Sequence, residues 1–249
     1  MSGPVVVVHP SPDALATATA ARLLLRLLDA QSLHRPVHVV LTGGGMGTRV
    51  LAEVAASPLR DAVDWSGVHV WWGDERFLPD GDPERNETQA RAALLDAVAL
   101  PPENVHAVPP LGPGTPTPED AAAAYADALA GSAGRSDDAG PAVPAFDLLL
   151  LGVGPDGHVA SLFPGHDAVE VTGTTTVAVH DSPKPPPERV SLTLPAIEAA
   201  AEVWLVVSGA DKAEAVGRAL AGADPREVPA AAVRGRTRTL WLLDVAAAG

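Results

Sequence analysis

Short, nearly continuous apolar runs recur along the chain at Val5–Val8, Val37–Leu41, Val68–Trp72, Phe146–Leu151, Glu202–Val207 and Thr239–Asp244. Runs of this kind suit strands covered on both faces of a parallel sheet. Between them the apolar positions take a helical spacing. Ser11, Pro12 and Asp13 supply an N-cap, an N1 proline and an acidic first turn, and Leu15, Leu23, Leu24, Leu27 and Leu28 then share one face to about Asp29. Further helices are predicted over Gly47–Ala56, Asn86–Val98, Pro118–Ala130 (after an N-cap at Thr117), Pro195–Ala199, and from the Ser208–Lys212 stretch to about Ala221. The alternation of strands and helices predicts an α/β fold.

Weaker signals fill the rest. Val105–Val108 and Thr174–His180 read as short strands. Arg189–Thr193 alternates Arg189, Ser191 and Thr193 with Val190 and Leu192, which predicts a half-buried strand. Lys184-Pro185-Pro186-Pro187 reads as a stiff, extended connector. Residues 131–145, rich in Gly, Ser, Asp and Pro, read as an exposed mobile loop and not as a domain linker. Arg234, Arg236 and Arg238 are expected on the solvent face of an edge strand.

Composition narrows the chemistry. The 249 residues suffice for one large α/β domain or two small ones. The absence of cysteine excludes disulfides, thiolate metal sites and cysteine nucleophiles. No apolar run approaches about 18 residues, so no membrane span is expected. The first strand begins too soon after Met1 to leave room for a signal peptide, so a soluble, cytoplasmic protein is expected. A formal charge of −14 argues against a nucleic-acid partner, and it means that an anionic substrate must be held by a local positive site. The chain has only two lysines, Lys184 and Lys212, which makes the place of each informative.

Candidate chemistry gathers where strands end, and in open α/β sheets ligands bind beyond the carboxyl ends of strands. After Val37–Leu41 come Thr42, Gly43, Gly44, Gly45, Met46 and Gly47 and a helix start. Such a loop is either an ordinary strand-to-helix turn or a cradle whose free N–H groups and helix dipole hold phosphate. Three adjacent glycines exceed what a turn needs, although no Walker sequence follows. After Val68–Trp72 come Gly73, Asp74, Glu75 and Arg76. They form either a solvated loop or a site wall in which Arg76 grips phosphate or steadies an oxyanion. After Phe146–Leu151, Gly152, Gly154 and Gly157 surround Asp156 and His158, an acid and an imidazole with an unperturbed pKa of about 6.5. Lys212 at a helix start opposes the dipole unless an anion sits beside it.

Taken together, these stretches resemble the 6-phosphogluconolactonases. The resemblance runs from Thr42–Gly45 through Trp72–Arg76 and the block Gly152–Gly165. It continues through Arg189–Pro195 and Gly209–Lys212 to Trp241–Asp244. The block holding His158 is its most specific part. The resemblance implies a Rossmann-like three-layer sandwich with a central, mostly parallel sheet in a single domain spanning residues 1–249. It also implies hydrolysis of 6-phosphoglucono-δ-lactone in the oxidative pentose phosphate pathway, without metal or cofactor. His158 matches the catalytic histidine, and Arg189 and Lys212 match phosphate-binding positions, to be joined by Gly43, Gly44 and Gly45. The chain departs from the pattern at Arg85-Asn86, where Ser-Asn is frequent.

The expected mechanism needs no serine or cysteine nucleophile, because a δ-lactone is an activated ester. His158 is expected as general base toward water, Arg76 as an oxyanion partner, and Asp156 either to fix the imidazole tautomer or to hold the loop together. A monomer acting on a small sugar-phosphate lactone is expected. Two rivals are a sugar-phosphate deaminase or isomerase of the same fold and a non-catalytic sugar-phosphate sensor. The first continues its Asp-Gly-His loop with Asn-Glu-Pro, where this chain has Leu162, Phe163 and Pro164. The second needs a helix-turn-helix segment, for which the early first strand leaves no space.

Overall fold

Ser11 caps the first helix as its sequence predicts: its Oγ accepts the N–H of Ala14 at 3.2 Å. That helix, α1 (Pro12–Leu33), follows β1 (Val5–His9). Next come β2 (Val37–Leu41), α2 (Gly44–Ala56), β3 (Val68–Trp72), β4 (Asp74–Arg76), α3 (Asn86–Ala93) and α4 (Pro118–Ser132). Then β5 (Phe146–Leu151), β6 (Thr176–Val179), β7 (Arg189–Leu192) and α5 (Leu194–Glu198) follow. The chain finishes with β8 (Glu202–Val207), α6 (Ala213–Leu220), β9 (Arg238–Asp244) and α7 (Val245–Ala248). The computed structural model describes residues 3–134 and 140–249, so the middle of the loop expected at 131–145 lies outside the described residues.

Six strands form one parallel sheet in the order β1-β9-β8-β5-β2-β3, flanked by helices. Every residue of β2 and β5 is buried, which requires cover on both faces and accounts for their unbroken apolar runs. The chain moves from β2 to β3 in one direction and from β5 through β8 to β9 in the other. At β2 and β5 successive loops therefore part, and a crevice opens beyond the strand ends. Strands β4, β7 and β6 form a second, antiparallel sheet that overhangs this crevice; Asp74 faces Ser191, and Arg76 faces Arg189. Among the described residues no helix is long and apolar enough to cross a membrane.

Several expectations are corrected. Val105–Val108 is not a strand: only Val105 bridges to Val70, beyond which the proline-rich segment offers no ladder. Helix α2 starts at Gly44 and not Gly47, so two of the three glycines lie in its first turn. The helix from Asn86 stops at Ala93, and a 3₁₀ turn follows, because adjacent Leu94 and Leu95 are both buried. Strand β7 is fully buried, since it lies between β4 and β6. The arginines at 234, 236 and 238 do not guard an edge: β9 lies between β1 and β8, and the nearer edge strand is β1, with Val5, Val6 and Val8 exposed. The Lys184–Pro187 connector is not extended. It curls so that the carbonyls of Lys184, Pro185 and Pro186 accept hydrogen bonds from Arg189.

Candidate active site

A cavity of about 570 Å³ occupies the crevice, over the carboxyl ends of β2, β5 and β8 and under β4 and β7. One wall is the glycine loop. Gly43 takes the N-cap position of α2 without a side-chain cap, and no acidic residue sits in the first turn. The free N–H groups and positive dipole end of α2 therefore face the cavity uncompensated. Gly43 must be glycine, because a Cβ there would lie 1.8 Å from Oδ1 of Asn86. Thr42 ties this wall to the next, its Oγ1 accepting the N–H of Gly152 at 3.3 Å.

The second wall carries His158. A tight turn, with Gly157 N–H donating to Gly154 O at 2.9 Å and Gly154 N–H to His158 O at 3.0 Å, brings the imidazole back over Gly154. His158 Nδ1 lies 2.5 Å from Asp156 Oδ1, and Phe163 packs against the ring at a centroid distance of 4.6 Å. Burial pushes the Asp156 carboxyl up, but the hydrogen bond and charge of His158 outweigh it and hold the group at about 2. An ionised Asp156 accepts a hydrogen bond from Nδ1–H, the tautomer in which Nε2 carries the free lone pair. The following turn puts Ala160 at φ +50°, and Ser161 Oγ donates to Asp74 Oδ2 at 2.6 Å, fastening the turn to β4.

Four cations complete the lining: Arg76, Lys184, Arg189 and Lys212. Both lysines of the chain are thus in one cavity. Arg76 Nη1 donates to Glu84 O at 2.9 Å and to Asn86 Oδ1. Arg189 is buried, and its desolvation, together with the nearby Arg76 charge, presses its pKa down against the pull of Asp74. Lys212 Nζ contacts both oxygens of Asp211, at 2.8 and 2.7 Å. The loop bearing Lys212 is anchored from beneath by Asp244, which accepts from Ser208 Oγ at 2.5 Å and from Gly209 N–H at 3.2 Å. A cluster of cations in a chain of charge −14 is suited to an anionic ligand.

A family model described as glucosamine-6-phosphate isomerases/6-phosphogluconolactonase matches residues 10–241 of this chain. The chain belongs to this family. The 6-phosphogluconolactonase of Streptomyces coelicolor is 58% identical to it over 98% of this chain and 94% of its own length. That of Mycobacterium tuberculosis is 47% identical over 96% of this chain and 95% of its own. The solved structure of 6-phosphogluconolactonase from Trypanosoma brucei superposes with a TM-score of 0.87 at 29% identity, covering 100% of this chain and 98% of that one. These likenesses put the chain on the lactonase side of the family.

Of the residues singled out from the sequence, His158, Arg76, Gly43, Gly44, Gly45, Arg189 and Lys212 all line the cavity. Asp156 does not line it and reaches it only through His158. The anion beside Lys212 that its helix-start position calls for is Asp211, its own neighbour. Sequence reading missed Asp74, Asn86, Lys184 and Asp211 as lining residues. The scarcity of lysine was the one signal that could have found Lys184. Asn86, next to the departure at Arg85, bears on the site, since it bonds Arg76 and packs on Gly43. Among the described residues no group of three or more His, Asp or Glu is placed to hold a metal ion.

Proposed function

We propose that the chain hydrolyses 6-phosphoglucono-δ-lactone to 6-phosphogluconate, the second step of the oxidative pentose phosphate pathway, as a cytoplasmic monomer. The observation that carries this reading is the placement of His158, its Nδ1 engaged by Asp156, in one cavity with four cations and an uncapped helix start. Neutral His158 takes a proton from water through Nε2 as the water oxygen attacks the lactone carbonyl. The imidazolium then returns that proton to the ring oxygen as the carbon–oxygen bond breaks, so that one water is consumed and an acid and an alcohol appear. Such help contributes about 10²–10⁴-fold. Asp156 holds the ring tautomer and steadies the imidazolium. Arg76 and backbone N–H groups of the glycine loops receive the tetrahedral oxyanion. Arg189, Lys212 and the start of α2 hold the 6-phosphate, which orients the reacting end several atoms away.

A coupled assay of 6-phosphogluconate formation, corrected for spontaneous ring opening, tests substrate and reaction together. Turnover of the phosphorylated lactone is expected, with no ammonia released from glucosamine 6-phosphate. Binding of the lactone without turnover would overturn the reading in favour of a sensor.

A further inference from the structure

Glu75 is completely buried beside the cavity, and the hydrolytic scheme gives it no task. Its carboxylate gathers three backbone N–H groups. Oε1 accepts from Arg76 at 2.8 Å and from Asn86 at 2.6 Å, and Oε2 accepts from Glu87 at 2.9 Å. Arg85, also completely buried, lies 3.9 Å from Oε2 of Glu75 and 3.6 Å from Glu87. Arg85 occupies the N-cap position of α3 but supplies no side-chain cap, so a carboxylate from β4 closes the helix start in its place.

Two of the three tethered residues, Arg76 and Asn86, line the cavity. They also bond each other, Arg76 Nη1 donating to Asn86 Oδ1. Asn86 Nδ2 donates to Asp74 O at 2.8 Å, and its amide lies directly against Gly43. One buried carboxylate therefore joins β4, the start of α3 and the glycine loop into a single piece. Without it, Arg76 would keep its contact to Asn86 while the backbones carrying both residues were free to move apart. Effective electrostatic stabilisation requires donors fixed before charge develops, and an error of about 1 Å in such a group can cost about 10²-fold.

We propose that Glu75 is a positioning residue for lactone hydrolysis: by tying the backbones of Arg76 and Asn86 together it holds Arg76 in the geometry that receives the oxyanion. The proposal rests on Arg76 acting as the functional reading assigns. It requires a carboxylate: an amide at this position would turn an NH₂ toward one of the three N–H donors.

The test is a double-mutant cycle of Glu75→Gln and Arg76→Ala. Glu75→Gln alone is expected to lower kcat at least about tenfold, with KM changed less than about threefold. In the Arg76→Ala background the same substitution is expected to change kcat less than about twofold, because the group it positions is gone. Equal factors in both backgrounds, or a folded Glu75→Gln enzyme with normal kcat, overturns the proposal, as does an Arg76→Ala enzyme with unchanged kcat. Should Glu75→Gln fail to fold, the cycle is run with Glu75→Asp, which keeps the charge but is too short to reach all three N–H groups. A wild-type chain that does not turn over the lactone refutes the functional reading and this proposal with it, whereas a failed cycle on an active wild type refutes the positioning claim alone.

Discussion

Arg76 and Arg189 face each other as cross-strand partners in β4 and β7, at the rim of the cavity. Like charges directly opposed are destabilising unless an anion lies between them. The two guanidiniums are held differently. Arg76 is fixed by Glu84 O and Asn86, and its Nε is buried without a partner among the described residues, whereas Arg189 is sunk into the carbonyls of Lys184, Pro185 and Pro186. Arg76→Ala is expected to lower kcat by about 10²-fold with a smaller change in KM. Lys212→Ala is expected to raise KM by about tenfold or more and to spare kcat, since it removes binding made equally in ground and transition states. Arg189→Ala should raise KM as well and also lower the melting temperature, because three carbonyls lose their donor. Steady-state kinetics with thermal melts on the three variants check this, and equal effects on kcat and KM in all three would contradict the division.

The His158–Asp156 pair carries the second prediction. His158→Ala should lower kcat by at least about 10²-fold with little change in KM. Asp156→Asn should lower kcat less, because the base remains but its tautomer is no longer imposed. Asp156 also has a folded-state pKa of about 2, below its ordinary 3.8, so the stability it contributes is complete above about 4 and disappears as pH falls through about 2. The difference in melting temperature between the wild type and Asp156→Asn is therefore expected to shrink as pH falls from about 4 toward about 2. A His158→Ala enzyme with near-normal turnover would remove His158 as the base.

Gly154 gives a prediction that depends on space alone. A Cβ there would lie 2.1 Å from Cε1 and Nδ1 of His158 and 2.5 Å from Oδ1 of Asp156. Gly154→Ala must push the imidazole into the cavity, and kcat should fall by about 10–10²-fold for a displacement of this size. Gly217 in α6 is the control, with nothing within 4 Å of a built Cβ. Gly217→Ala should leave kinetics unchanged and stabilise the fold by about 0.5–1 kcal/mol, the helix-propensity difference. Denaturant melts read the second effect and kcat the first. Normal turnover in Gly154→Ala would show that the ring is not held where it is placed.

How much of this was legible in the sequence follows from which forces are local. The strands of the parallel sheet announce themselves because burial on both faces demands an unbroken apolar run, and the glycines after β2 and β5 mark where backbone must approach a ligand or a side chain. For Asp74 and Glu75 of β4 the sequence left a solvated loop open, because charge in sequence reads as solvent exposure. Asp74 and Glu75 are buried because their partners, Ser161 and the N–H groups of α3, arrive from distant parts of the chain. The Lys184–Pro187 segment misled for the converse reason. Prolines favour extension locally, but the donors of Arg189 recruit three of the segment's carbonyls and bend it over the cavity.

The last prediction lies at the opposite end of the sheet. His38, near the start of β2, accepts from Trp71 Nε1 at 3.1 Å. Trp71 in turn stacks on His106 at 3.9 Å, and His69 Nδ1 lies 2.9 Å from His106 Nε2. Burial first, and then the neighbouring histidines, holds both His38 and His106 down at about 4, against an ordinary value of 6.5. Between these values the unfolded chain takes up protons that the folded chain refuses. Stability is therefore complete above about 6.5 and falls as pH drops toward about 4. His106→Phe keeps the stack on Trp71 but removes one titrating group, so its melting temperature should fall less than that of the wild type between pH 7 and about 5. Kinetics at pH 8 should not change, because the cluster is remote from the cavity residues. Calorimetric melts across that range decide it: parallel curves for the two proteins would mean that the histidine cluster does not set the acid limit of the fold.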